Sequence, residues 1–417
     1  MHRTLSVAWR VALGTGRCLH GARGAWLGAW GALSIAPCSA LRAQPEPDGN
    51  AAALSATALS GVAGYLDSAA AGGAFPGGVL LVGYRGSVAA VRPFGRYGND
   101  DARPVDSSTV YDLASLTKVV GLTTAVMLLV ADGRLGLDDR VGDHVPAFAG
   151  DGRDQVRVRH LLTHVSGLPA WRPLYEETAS RDEALAAVHA SPLEAEPGAR
   201  YAYSDLGAIV LTEVVEALSG EPLDAFLDRR VFQPLGMSAT RFRPPDAWAP
   251  RIAPTERDPW RGRLLRGEVH DENAHRLGGV SGHAGLFSTA PDLARFAFWL
   301  LDAYHGRLAA AAPVQLPASL VREFVRRQPG PAGSTRALGW DTPSPDGRGS
   351  AGSRLPPSSF GHTGFTGTSI WIDPERELVI ILLTNRVHPT RENRAILEVR
   401  RVVADLVVEA FDGGDEQ

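Results

Sequence analysis

The chain has 417 residues, 44% of them hydrophobic and 21% charged, with a formal net charge of −4. That length can bury a large core, as one domain or two, and the composition is that of a soluble globular protein, not of a disordered or fibrous one. Past residue 43 the balance is 37 basic against 46 acidic residues with no basic cluster, which argues against nucleic acid as a partner.

Residues 1–43 hold five arginines, no acid and the apolar run Trp26 to Pro37. The run is too short to span a bilayer. Ser39 to Ala43 ends in a small residue suited to cleavage before Gln44, so the segment reads as a signal peptide. The expected location is outside the cytoplasm, in a bacterial periplasm or at the cell surface, with no membrane attachment other than the alternative of a lipid anchor on Cys38, which Pro37 fits poorly. Both cysteines, Cys18 and Cys38, lie in this leader. The rest of the chain has no disulfide, no thiolate nucleophile and no cysteine metal site, so a nucleophile there is a hydroxyl.

Residues 44–51 read as a linker. Residues 52–71 carry helical apolar spacing. Gly78 to Tyr84 and Ser87 to Phe94 are β-rich runs joined at Arg85-Gly86, a hairpin signal, and Thr109 to Leu113 is a short strand-like run. Leu116 to Ala131 is apolar on most of its surface and predicts a buried helix, stopped by Asp132-Gly133. From about 134 to 330 the chain is helical and loop-rich. Helices are expected over Arg157 to His164, Arg181 to His189, Leu206 to Leu218 and Pro222 to Val231, and from a Thr289-Ala-Pro-Asp292 capping box to Leu301. Residues 328–358, rich in Pro, Gly and Ser, predict a mobile surface insertion. Thr368 to Ile372 and Glu377 to Leu383 read as a second hairpin, and Arg391 to Phe411 as a final amphipathic helix. Strands near both ends with helices between predict an α+β fold. Its antiparallel sheet would come from both chain ends and be flanked by helices, with a mainly helical subdomain inserted (sheet part about 52–114 and 335–412, helical part about 134–330).

Of the 42 basic residues, 41 are arginines and one is the lysine of Ser115-Leu116-Thr117-Lys118. Arginine stays protonated in proteins, whereas a buried lysine shifts its pKa and can act as a base. Three residues apart on a helix, Ser115 and Lys118 share a face. That is a hydroxyl nucleophile beside its base. The contrasting reading is an ordinary first helical turn with a solvated lysine.

Two further motifs follow in order: Tyr203-Ser204-Asp205 at the start of a helix, and His362-Thr363-Gly364 before a strand. With Ser115-x-x-Lys118 they make the chain resemble, over about residues 55–410, the serine β-lactamase and penicillin-binding-protein superfamily, in its class C-like branch. Leu161 to Leu168 and Leu383 to Arg386 are similar to that branch too. Val269 to Ala274 and Leu277 to Ser288 resemble a subgroup containing penicillin-binding protein 4B and muropeptide-processing amidases.

The resemblance implies a β-lactamase/transpeptidase-like fold in a hydrolase domain of residues 52–412, and an acyl-enzyme on Ser115. Lys118 would take the serine proton if its surroundings keep it partly neutral. Tyr203 would share the relay and protonate the leaving group. The N–H groups of Ser115 and Phe365 would form an oxyanion hole worth about 3–4 kcal/mol per donor. Asp205, His362, Thr363 and Gly364 would bind substrate, with His362 giving a partial positive charge to a substrate carboxylate, and His283, among glycines, would line the site. No cofactor or metal is implied. His270, Asp271, Glu272 and His275 lack the H-E-x-x-H spacing of a metal site, and the segment reads as a loop over the cleft. Asp205 replaces an asparagine of class C β-lactamases, and His362 a lysine, so efficient β-lactam hydrolysis is not expected. The function implied is an exported serine hydrolase cleaving amides or esters, with a peptidoglycan-derived peptide as substrate. The alternatives are a carboxylesterase of small acyl esters and a non-catalytic sensor that has kept the fold.

Overall fold

The computed structural model describes residues 59–412. The signal peptide expected over 1–43 and the linker over 44–51 lie outside the described residues. The first hairpin forms as expected, from strands Gly77–Tyr84 and Ser87–Gly98. Arg85 (φ 47°) and Gly86 (φ 76°) are both left-handed at its turn, the backbone that matches the twist of a tight hairpin. A short strand Asp101–Pro104 continues it. The second hairpin pairs Ser369–Asp373 with Leu378–Thr384.

These pieces make one antiparallel sheet of six strands. Its order runs Asp101–Pro104, Ser87–Gly98, Gly77–Tyr84, Leu378–Thr384, Ser369–Asp373, Phe360–Thr363. The junction between the chain ends is the pairing of Gly77–Tyr84 with Leu378–Thr384, with Leu81 opposite Ile381. Alternate side chains point to opposite faces. Val79, Leu81, Val379 and Ile381 enter the larger core with the helical region. Leu80, Val82, Ile380 and Leu382 enter a second core with Val62 and Leu66 of helix Ser60–Ala71 and Val403 and Val407 of helix Ile396–Asp412. Both faces are covered, which is why these strands read as unbroken apolar runs. Each such side chain contributes about 1.5–3 kcal/mol relative to exposure.

The helices between the hairpins complete the β-lactamase/transpeptidase-like arrangement. Helix Asp205–Ser219 starts where Ser204 Oγ accepts the Gly207 N–H (3.1 Å) and stops at left-handed Gly220, the residue pair expected at those two ends. Helix Ala290–His305 starts at Thr289, as the capping box predicts, and runs four residues past Leu301. Several expectations change: the helix read as Pro222 to Val231 is α-helical over Leu223–Leu227 and π-helical over Asp228–Phe232, and the final helix read from Arg391 starts at Ile396. The helix read as Leu116 to Ala131 is π-helical over Lys118–Thr123 and α-helical only over Thr124–Ala131; such widened turns recur at functional sites. Residues 328–358 are not a detached surface insertion. Leu338 and Trp340 are fully buried, and the Gly339 N–H donates to Leu162 O (2.9 Å). The strand Phe360–Thr363 at the sheet edge was not foreseen. Among the described residues no helix is long and apolar enough to cross a membrane.

Candidate active site

Ser115 is the one residue between Thr109 and Leu129 that is not buried. The residue before it, Ala114, has φ 47°, a conformation that costs a non-glycine residue roughly 1–2 kcal/mol. The carboxylate of buried Asp112 holds it there by accepting the Ala114 N–H (2.8 Å) and, from a distant loop, the His270 N–H (2.6 Å). Burial raises the Asp112 pKa against those donors. The segment is also tied to the loop after the edge strand: Thr366 Oγ1 donates to Asp112 O (2.7 Å) and Thr368 Oγ1 to Leu113 O (2.9 Å). Gly364 lies so close that a Cβ there would sit 2.2 Å from Leu113 O, so only glycine fits.

Lys118 is buried, with two hydrogen-bond acceptors and one ion-pair partner about its ammonium. Its Nζ lies 2.6 Å from Asp205 Oδ1, 3.0 Å from the carbonyl of His283 and 3.2 Å from Ser115 Oγ. Burial acts to lower its pKa, but the Asp205 carboxylate and the Tyr203 hydroxyl outweigh that and raise it above the ordinary lysine range. The expectation of a partly neutral amine is therefore corrected: the resting group is an ammonium. Asp205, expected to bind substrate, is the partner of that ammonium. The Tyr203 hydroxyl is close enough to help raise the Lys118 pKa, yet it completes no hydrogen bond among the described residues although it is buried. An unsatisfied buried hydroxyl is a mark of a working site. The His164 ring packs on Tyr203 (4.5 Å between centroids), and its Nδ1 accepts the Ser204 N–H (3.1 Å). That is the structural role a buried histidine usually has.

His362 is corrected as well. Its ring Nδ1 donates to Thr363 O (2.8 Å), so Nε2 carries the lone pair that accepts from Arg336 Nη1 (3.0 Å). Burial first, then Arg336 and Lys118, push its pKa well below the histidine range. The ring is neutral at neutral pH and offers no charge to a carboxylate. That charge belongs to Arg336, which also donates to Tyr201 Oη (3.0 Å) and lies over the Tyr203 ring (4.9 Å). Ser115, Tyr203, Arg336, His362, Thr363, Gly364 and Phe365 line one cavity of about 510 Å³ together with Arg386, Arg391, Arg394 and Arg400, and its lining acids are Asp341 and Glu392; Arg336 stands 3.8 Å from Asp341, and Arg391 is paired from outside the lining by Glu256 and Glu272. Burial lowers Arg386 to about 10, and burial with Arg386 nearby lowers Arg400 to about 9: positive charge is crowded here without enough counter-charge.

The backbone at Phe365 is set by the same arginines. Arg400 Nη2 donates to Gly364 O (2.5 Å) and Arg386 Nε to Phe365 O (2.7 Å). The C=O and N–H of a trans peptide point opposite ways, so the Phe365 N–H is turned away from Arg400. Neither it nor the Ser115 N–H enters the turn and loop hydrogen bonds that fix this backbone. His283 does not line the cavity with its ring. The ring is buried between Ser281 Oγ (2.7 Å) and Asp271 (2.9 Å), and only its carbonyl reaches Lys118. The 270s acids and histidines are spent on separate partners: His270 on Glu256, Glu272 on Arg391, His275 on Glu268. Arg336 was missed because it is one of 41 arginines in a stretch that reads as a surface loop.

A serine that reaches solvent beside a buried ammonium, with an unbonded tyrosine hydroxyl against it, is the arrangement of a serine hydrolase that passes through an acyl-enzyme. Comparison with known proteins agrees. The Beta-lactamase family model matches residues 62–405, and the chain belongs to that family: it is a serine hydrolase of the β-lactamase-related kind. A relative from Salmonella schwarzengrund (strain CVM19633) that carries D-alanyl-D-alanine carboxypeptidase as a provisional name is 35% identical over 315 residues, 68% of this chain and 70% of the relative. Among solved structures, a penicillin-binding-protein homologue from Caulobacter crescentus is similar at a TM-score of 0.68 and 19% identity, covering 87% of this chain and 98% of that one. EstCE1, a hydrolase with promiscuous acyltransferase activity, is similar at 0.66 and 23%, covering 84% and 99%. At those identities the two structures speak for the fold alone.

Proposed function

We propose that the protein is an exported peptidase of the D,D-carboxypeptidase or amidase type, acting on peptidoglycan-derived peptides through an acyl group on Ser115. Ser115 Oγ attacks the scissile carbonyl. Its proton passes into the Lys118, Tyr203 and Asp205 cluster. Because the resting lysine is charged, Lys118 accepts that proton only after handing one of its own to the Asp205 carboxylate. Tyr203 then protonates the leaving amine, and the Ser115 and Phe365 N–H groups hold the oxyanion. Water hydrolyses the acyl-enzyme by the reverse relay.

The observation that carries this reading is the excess of arginine around the cavity that Ser115 opens into. A free carboxylate close to the scissile bond is what Arg336 is placed to accept, and a peptide ending in D-alanine presents one. The provisional name of the Salmonella relatives supports the same substrate class. A small neutral ester has no group for this wall, which counts against the carboxylesterase alternative. Slow penicillin acylation is the most that we expect for β-lactams, since Asp205 opposes a second anion beside Lys118.

The test is a substrate panel after labelling. A fluorophosphonate probe labels the wild type and leaves Ser115→Ala unlabelled; labelling that survives removes Ser115 as nucleophile. D-Ala-D-Ala peptides should then be cleaved with higher kcat/KM than p-nitrophenyl acetate. The reverse order would make the protein an esterase.

A further inference from the structure

Six large apolar side chains are exposed among the described residues, and three of them are aromatic: Trp171, Trp260 and Phe365. Phe365 lines the Ser115 cavity. The two tryptophans, 48% and 39% exposed, have no part in the proposed chemistry. They are joined by Tyr175 into one row. Ring centroids are 6.4 Å apart from Trp171 to Tyr175 and 4.8 Å from Tyr175 to Trp260, and His275 stands 5.7 Å beyond.

The row borders the catalytic cluster. The carbonyl of Ala170, next to Trp171, accepts the N–H of Asp205 (2.9 Å), the carboxylate paired with Lys118. Burial, then a hydrogen bond to Glu176 and the charges of Glu176 and Glu272, push the Tyr175 hydroxyl up to about 12 against the opposing charge of Arg391; Arg391 lines the Ser115 cavity.

The backbone that carries each indole is held in place by buried polar groups. Asn273 ties the Trp171 segment down by donating to Arg172 O (2.8 Å) and accepting the Tyr175 N–H (3.1 Å). Trp260 tips the hairpin of strands Arg257–Asp258 and Arg263–Leu264. Buried Asp258 accepts its N–H (2.7 Å), and Arg261 clamps the hairpin onto Val269 O (2.7 Å) and His270 O (2.6 Å). Exposed rings that are fixed before anything binds lose little entropy on binding. Exposed apolar patches rimmed by polar groups mark binding sites.

The chemistry of the rim selects the occupant. Glu176, Glu268, Glu272, Arg261 and Arg276 surround the rings, and Arg261 and Arg276 lie over Trp260 (5.4 and 5.9 Å). A fatty acyl chain calls for an aliphatic slot, and these are part-exposed aromatic rings set at 52° and 67° to one another and edged with charge. A pyranose fits them: one face of the sugar presents C–H groups to a ring, and its edge presents hydroxyls to charged side chains. We infer that the row Trp171, Tyr175 and Trp260 is a saccharide subsite, which binds the N-acetylated glycan part of a muropeptide while its peptide enters the Ser115 cavity. The inference deepens the peptidoglycan reading and rests on it for the identity of the sugar.

The experiment is a calorimetric titration of the full-length wild type with two peptide-free probes, the disaccharide N-acetylglucosaminyl-N-acetylmuramic acid and chitotetraose. Binding is expected to both, weakened at least tenfold in Trp171→Ala and in Trp260→Ala and largely retained in Trp171→Phe and Trp260→Phe. The phenylalanine variants separate loss of a stacking face from loss of folding. Absence of binding to the wild type, or unaltered affinity in both alanine variants, overturns the inference. So does a lost preference for p-nitrophenyl octanoate in those variants without saccharide binding, which would assign the row to an acyl chain. Saccharide binding does not depend on Ser115. Binding without cleavage of either D-Ala-D-Ala peptides or muramyl peptides would therefore sink the peptidase reading and leave a saccharide site, and cleavage without binding would do the opposite.

Discussion

On one side of Ser115 a single ammonium is surrounded by acceptors: Asp205 Oδ1, the His283 carbonyl and the serine oxygen itself. On the other side five arginines face a cavity with two acids. Both sides are cationic in a chain whose net charge is negative, but the second is neutralised only in part: Arg391 pairs with Glu256 and Glu272 and Arg336 stands 3.8 Å from Asp341, while Arg386 and Arg400 are held by backbone carbonyls. Charge paired with a carboxylate inside the protein manages protons, because its pKa depends on the partner. Charge that exceeds the carboxylates beside a cavity can take an anion from outside. The largest test of the contrast is Lys118→Arg. It keeps the positive charge and removes the ability to exchange a proton, so kcat should fall by roughly 10²–10⁴, the range of positioned proton transfer. Activity close to wild type would mean that the group serves by charge alone, and the two sides would then not differ in kind. Circular dichroism and a melting curve check that the bulkier side chain has not unfolded the site.

On the substrate side the corresponding change is Arg336→Ala. A charge-assisted hydrogen bond to a carboxylate is worth about 1.5–3 kcal/mol, which corresponds to roughly 10–100-fold in kcat/KM. That loss is expected with D-Ala-D-Ala peptides, mainly through KM, while p-nitrophenyl acetate should change by less than about threefold. Equal losses on both substrates would place Arg336 in holding Tyr203 and not in recognition.

Asp205→Asn crosses the two halves. The carboxylate is what raises the Lys118 pKa against burial. Without it burial prevails and the pKa falls. If turnover needs the neutral amine, activity rises with pH through that pKa, so the rising limb of the kcat/KM profile should move to lower pH, by a unit or more. Nitrocefin acylation at pH 7 should rise with it, since one negative charge has left the site. A profile that stays in place would show that Lys118 keeps its proton throughout, and Tyr203 alone would be the base.

How much of this was legible follows from what leaves a trace in one sequence. The sheet did, because an apolar run of strand length bounded by turn residues allows few other structures; Gly77–Tyr84 and Leu378–Thr384 lie within a residue or two of expectation. Ser115 and Lys118 did, because a lone lysine among arginines is visible without a fold. The edge strand Phe360–Thr363 did not, being four residues long beside a Pro- and Gly-rich stretch. Nor did Arg336, whose role depends on lying against His362 and Tyr203, contacts 26 and 133 positions away along the chain. Charge states were the least legible. His362 was given a positive charge from its ordinary pKa, and Lys118 a neutral fraction from burial. Both were reversed by the surroundings, His362 by burial and then Arg336, Lys118 by Asp205.

The smallest effect in the comparison belongs to His283, expected at the substrate and found behind the lysine. Any residue there offers Lys118 a carbonyl; the imidazole fixes where that carbonyl stands, through Ser281 and Asp271. Against burial, His283 and the Ala274 N–H hold the Asp271 carboxyl below its usual range, so the pair is charge-assisted and the loop stiff. His283→Gln keeps a donor of similar reach but cannot bridge both partners. We expect kcat to fall by roughly 3–10-fold at nearly constant KM, with a melting temperature lower by a few degrees, as for the loss of one buried hydrogen bond of about 1–3 kcal/mol. A structural ring would move the melting temperature alone, and a ring that positions the lysine's acceptor moves kcat with it. If instead KM rises at unchanged kcat, the imidazole touches substrate, and the wall between the proton-handling side and the substrate side has been drawn in the wrong place.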